Sequence, residues 1–213
     1  MADQEYVHYL FIIDRSGSMS SIAADATGGI RAFIDKQLEG VDGDKRTVSF
    51  YQFDDTHELV YDFAKLEKAR DYTLVPRRWT ALLDAVGKGI SETGEKLAAL
   101  DEDKRPGYVM VIIVTDGQEN ASQEYTKAQV KKMIEHQQAK YNWKFTYLGA
   151  NQDAFAEASS IGIARPSVLS WLGVSRSVRD SYAAAACSVS AGTVATNAVI
   201  TYSDEQREQV MKP

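Results

Sequence analysis

The chain has 213 residues, 44% of them hydrophobic and 25% charged, which fits one globular domain with apolar material for a sizeable core. A formal net charge of −6 argues against a nucleic-acid partner, because phosphate binding needs a basic surface. The single cysteine, Cys187, excludes an internal disulfide and points to an intracellular, cytoplasmic protein.

Met1–Glu5 has no basic segment followed by an apolar run, so no signal peptide is expected. The apolar run Tyr9–Ile13 reads as a buried strand. It ends in Asp14-Arg15-Ser16-Gly17-Ser18, a carboxylate and two hydroxyls at alternate positions, with Gly17 free to turn sharply. Ile22, Ala26, Ile30, Phe33, Ile34 and Leu38 recur at helical spacing, and Gly40 stops that helix. Thr47–Phe53 and His57–Phe63 are β-rich and joined by the short link Asp54-Asp55-Thr56, so they form an antiparallel pair. Residues 64–79 are mixed and close on Arg77-Arg78-Trp79; a long helix then begins at Thr80.

Tyr108–Val114 is the most apolar run, without alternation, as in a central strand buried on both faces. It too ends in oxygen groups, Thr115-Asp116-Gly117. Thr126 and Gln129 make a capping box for the next helix. Trp143–Leu148 is a strand, Asn151 a helix cap, and Ala154–Ile161 a short helix. Beyond Pro166, Val168–Trp171 reads as a last strand; Val174, Val178, Tyr182 and Ala186 share a helical face, and Ser203 with Gln206 caps a terminal helix. Residues 181–203 carry no charge, but their Ala, Ser, Thr and Gly content is too polar for a membrane span.

Strands alternating with helices imply an α/β fold: a Rossmann-like, doubly wound, mostly parallel sheet with one antiparallel edge strand and helices on both faces. Ligands of such sheets gather at strand carboxyl ends where the strand order reverses, so Asp14 and Asp116 share a site if their strands are neighbours.

Asp14-x-Ser16-x-Ser18, then Thr80 opening a helix, then a strand ending in Thr115-Asp116-Gly117, resembles the three segments of the metal-ion-dependent adhesion site of von Willebrand factor A domains. The likeness covers roughly residues 6–165, leaving 166–213 as a C-terminal extension packed on the same domain, and is nearest to small intracellular members from bacteria and their viruses. The resemblance implies that Ser16, Ser18 and Thr80 ligate Mg²⁺ (or Mn²⁺ or Ca²⁺) through hydroxyls, while Asp14 and Asp116 ligate it directly or through water. It further implies an open coordination position for an Asp or Glu of a protein partner, either in an ATPase-linked assembly or on another copy of the chain. No membrane or nucleic acid is implied. Many members carry Gly before the threonine; Trp79 stands there instead, and Arg77, Arg78, Trp79, Asn120 and Asn151 are rim candidates.

Local structure offers plainer roles. Ser and Asp also cap helices, Asp84 suits a helix N-terminus, and Asp54 and Asp55 suit a solvated hairpin. The histidines show no ligand spacing. An EF-hand would need Gly where Met19 stands. Asp14 as phosphoryl acceptor of a Mg²⁺-dependent phosphotransferase or phosphatase is an alternative, though Ser16 replaces the second Asp that such an enzyme needs and no general base is evident. A self-assembling component with a merely bracing metal is the other.

Overall fold

A computed structural model describes residues 2–150, 153–172, 175–194 and 199–211. Six strands, β1 (Asp3–Asp14), β2 (Arg46–Phe53), β3 (His57–Lys65), β4 (Pro106–Thr115), β5 (Lys144–Ala150) and β6 (Val168–Trp171), form one sheet in the order β3-β2-β1-β4-β5-β6. All neighbours are parallel except β2 and β3. The expected α/β class, with its antiparallel edge strand, is therefore the observed one.

Strand pleating sends alternate residues to opposite faces. Tyr9, Phe11 and Ile13 of β1, with Met110, Ile112 and Val114 of β4, pack against α1 (Ala23–Leu38) and α5 (Ser175–Val194). Leu10, Ile12, Val111 and Ile113 pack against α2 (Leu82–Ala99), α3 (Lys127–Tyr141) and α4 (Ala154–Ser160). The apolar stripe of α1 (Ala26, Ile30, Phe33, Ile34) is buried, and the chain leaves that helix through Gly40 at φ +67°. α1 and α5 approach so closely that a Cβ on Gly29 would lie 2.4 Å from the Tyr182 ring. The capping boxes at Thr126 and Ser203 form as expected and open α3 and α6 (Asp204–Val210).

Between β3 and α2 the structure differs from the sequence reading in two ways. The mixed stretch contains a 3-10 turn, Leu66–Asp71, that buries Leu66 and Ala69. The helix expected from Thr80 starts at Leu82, with Ala81 as a cap that offers no side-chain bond.

Both sheet margins are irregular or short. β3 carries Phe63 at φ +44°, stacked on His8 at 4.1 Å, and its pairing with β2 breaks register twice. β6 has four residues, all buried. The segments after it return to the sheet: Tyr202 N donates to Pro166 O, Ser167 Oγ to Ile200 O, and an Arg207 guanidinium nitrogen to Val168 O. No described helix is long and apolar enough to cross a membrane.

Candidate metal centre

The register aligns Ile13 with Val114 and Asp14 with Phe53, so the carboxyl ends of β1, β2 and β4 lie side by side. The strand order reverses between β1 and β4, where a doubly wound sheet opens its crevice. Asp14 is fully buried there. Its Oδ1 accepts from Ser16 N at 2.6 Å and its Oδ2 from Thr115 Oγ1 at 2.6 Å. Ser16 Oγ meets Ser18 Oγ at 3.0 Å, and Ser18 Oγ donates to Asp116 Oδ1 at 2.6 Å. A Cβ placed on Gly117 would stand 3.0 Å from Thr80 Oγ1 and 3.5 Å from Ser18 Oγ. The structure thus brings Asp14, Ser16, Ser18, Thr80 and Asp116 together at these strand ends, with Gly117 so close to Thr80 that a side chain there would crowd it.

None of these hydroxyls is taken up by helix capping. The 3-10 turn Gly17–Ser21 has Ser16 at its cap position without a side-chain cap bond, and Thr80 lies outside α2. The plain capping reading of the serines does not hold.

Electrostatics separate this site from its neighbour. Burial pushes the Asp14 carboxyl up to about 6, although bonds from Thr115 and Ser16 favour its charged form. Burial raises Asp116 as well, partly offset by Ser18. Neither has an ion-pair partner among the described residues. Asp54, one strand away and fully buried, is matched: its Oδ2 accepts from Arg15 Nε at 3.1 Å and Arg77 Nε at 3.0 Å. Its Oδ1 accepts from Thr56 N and Oγ1. Burial opposes its ionisation, but the Thr56 bonds and the Arg15 charge outweigh it and hold the carboxyl at about 2. The expected solvated hairpin at Asp54 is overturned: this carboxylate ties the Ser16 loop, through Arg15, to the Thr80 segment, through Arg77. The sequence cue was the Asp54-x-Thr56 turn, whose side-chain bond to the amide two residues on is a local habit of Asp.

The Thr80 segment and the loop after Asp116 are interlocked. Thr80 N donates to Asn120 Oδ1, and Asn120 N to Thr80 O, both at 3.0 Å. Asp84 accepts from the backbone N–H groups of Gln123, Glu124 and Tyr125 at 2.8–2.9 Å. Glu119 Oε2 accepts from Leu83 N at 2.9 Å. Asp84 therefore clamps a loop rather than simply complementing the helix terminus. Of the rim candidates, Arg77, Arg78, Trp79 and Asn120 are exposed around Thr80, with Asn120 also holding it; Asn151 lies outside the described residues.

The donor set suits a cation. Two carboxylates and three hydroxyls are hard oxygen ligands of the kind Mg²⁺, Mn²⁺ and Ca²⁺ take. No group of three or more His, Cys, Asp or Glu gathers among the described residues, so any ion here relies on hydroxyls and water to complete its shell.

No family model matches this sequence, and no curated protein does. Solved structures do. The von Willebrand factor domain of the type V pili tip protein Mfa5 from Porphyromonas gingivalis is 12% identical, with a TM-score of 0.63 over 88% of this chain and 96% of that one. Proximal thread matrix protein 1 from the mussel byssus is 15% identical, with a TM-score of 0.62 over 92% of this chain and 48% of that one. A second structure of that byssus protein, described with a zinc-occupied adhesion-site motif, matches at 15% identity and a TM-score of 0.56 over 78% of this chain and 41% of that one. The chain spans about half the length of the byssus structures it matches. The fold is that of a von Willebrand factor A-like domain, and one neighbour of that fold is described with zinc in its own adhesion-site motif.

Proposed function

We propose that the chain is a non-catalytic, divalent-cation-dependent protein-binding module. Asp14, Ser16, Ser18, Thr80 and Asp116 would hold Mg²⁺, with Mn²⁺ and Ca²⁺ as substitutes, and a partner's Asp or Glu would enter the remaining position. One contrast carries the reading: among three adjacent strand ends, the carboxylate at β2 has two arginines, while Asp14 at β1, fully buried, and Asp116 at β4, half-buried, have only neutral donors. Two desolvated carboxylates in one crevice attract a cation. Ser18 is exposed and Asp116 half-buried, so the ion would face solvent on the side a partner can reach.

When bound, the ion supplies a positive centre that an incoming carboxylate prefers to water. The chain's own work is to orient the donors: Thr115 and the Ser16 amide fix Asp14, Asn120 holds Thr80, and the Asp54–Arg15–Arg77 network keeps the two loops in step. Asp54, Asp84 and Glu119 beside the site are each engaged in hydrogen bonds that hold its loops.

Calorimetric titration with Mg²⁺ should show one saturable site, abolished by Asp14→Ala and by Asp116→Ala. Cation-dependent retention of acidic peptides should vanish in excess chelator. Unaltered retention in chelator, or no saturable Mg²⁺ binding by the wild type, would overturn the proposal.

A further inference from the structure

Between the 3-10 turn Leu66–Asp71 and α2 runs a segment without regular structure, and it ends on a candidate ligand, Thr80. It carries the two most exposed large apolar side chains among the described residues, Trp79 at 66% and Val75 at 62%. The backbone beneath them is braced. Leu74 N donates to Thr27 Oγ1 at 3.1 Å, Arg77 N to Arg15 O at 2.6 Å, Gly17 N to Arg78 O at 3.1 Å and Ala81 N to Asp54 O at 2.7 Å. The Arg77 side chain is anchored on buried Asp54. A segment pinned at four points and still presenting a Trp to water is a fixed surface, and an exposed aromatic beside a binding centre is the type of group that anchors protein contacts.

Charge narrows the partner. Arg78 is 70% exposed in its side chain and has one surface ion pair, with Asp55 at 3.3 Å, a contact worth little in water. In a chain of net charge −6, this places a weakly held cation beside an exposed aromatic at the mouth of the site.

We infer that this ridge reads the residues flanking the ligating carboxylate. The partner segment it fits carries an aromatic or large aliphatic residue next to the ligand Asp or Glu, to lie on Trp79, and a further acidic residue for Arg78. The inference rests on the cation-docking reading above and adds its selectivity.

The test uses the full chain and immobilised short synthetic peptides, each with a central Asp and randomised flanks, in Mg²⁺ and in chelator. The wild type should select aromatic or aliphatic residues beside the Asp and acidic residues beyond it. Trp79→Ala should lose the apolar preference and bind the best peptide roughly tenfold more weakly. Arg78→Glu should lose the acidic preference, and both variants should keep the wild-type Mg²⁺ affinity by calorimetry. Selection of the same peptides with equal affinity by wild type and Trp79→Ala overturns the inference, as does Mg²⁺-dependent binding of Asp peptides without flank preference; the latter leaves the docking function standing. Absence of any Mg²⁺-dependent selection by the wild type removes both.

Discussion

Asp14 and Asp54 end neighbouring strands and are equally buried, yet one is poised to take up a proton and the other is locked as an anion. Because the Asp14 carboxyl moves from an ordinary 3.8 to about 6 in the metal-free fold, the folded chain holds that proton more tightly than the unfolded one. Its contribution to stability is therefore greatest below about pH 4 and is lost as pH rises through 6, a swing of about 3 kcal/mol. Asp14→Asn removes the swing. In chelator, urea unfolding should show the variant gaining on the wild type by about 2 kcal/mol between pH 4.5 and pH 7, and saturating Mg²⁺ should close the gap. A gap independent of pH would contradict it. Burial holds His8 at about 3, so acid costs the fold stability there in the opposite direction, but equally in both proteins. The five candidate ligands were legible as residue types because strand-end oxygens at fixed spacing are a local pattern. Asp54 was not legible, because Asp54-Asp55-Thr56 looks solvated until Arg15 and Arg77, remote in sequence, are folded onto it.

At the level of elements, the start of α2 and the loop from Asp116 to Thr126 behave as one joint. α2 begins two residues later than its periodicity suggests because the Thr80 peptide is held on both sides by Asn120, which keeps Thr80 out of the helix. Asp84 then supplies the acceptor for three loop amides. Asp84→Ala would leave those amides without their partner, at about 3 kcal/mol. The expected result is faster amide exchange at Gln123–Tyr125 and weaker Mg²⁺ binding; unchanged exchange there would show that the clamp does not hold the loop. The strands and α1 were readable from apolar runs and periodicity, which are local. The joint was not, since Asp84, Glu119 and Asn120 look like ordinary cap and loop residues until the two segments meet.

For the whole molecule, the alternation of strands and helices announced a doubly wound sheet, but not how firmly the last segments belong to it. Ala and Ser dominate α5, so its buried face stands out weakly in the sequence. In the structure that face, with Val178, Tyr182, Ala185, Ala186 and Val189, covers the same layer as α1. Ending the chain at Ala164 would remove β6, α5 and α6 and bare Ile30, Phe33 and Leu148. The expected product aggregates or binds hydrophobic dyes; a soluble, cooperatively melting fragment would contradict this. The sheet margins carry a last consequence, and it is colloidal. Phe63 and the register breaks distort β3, and β6 is four residues long and covered, so neither rim offers a long flat template to another strand. At high concentration, neither rim would therefore seed cross-β growth between copies.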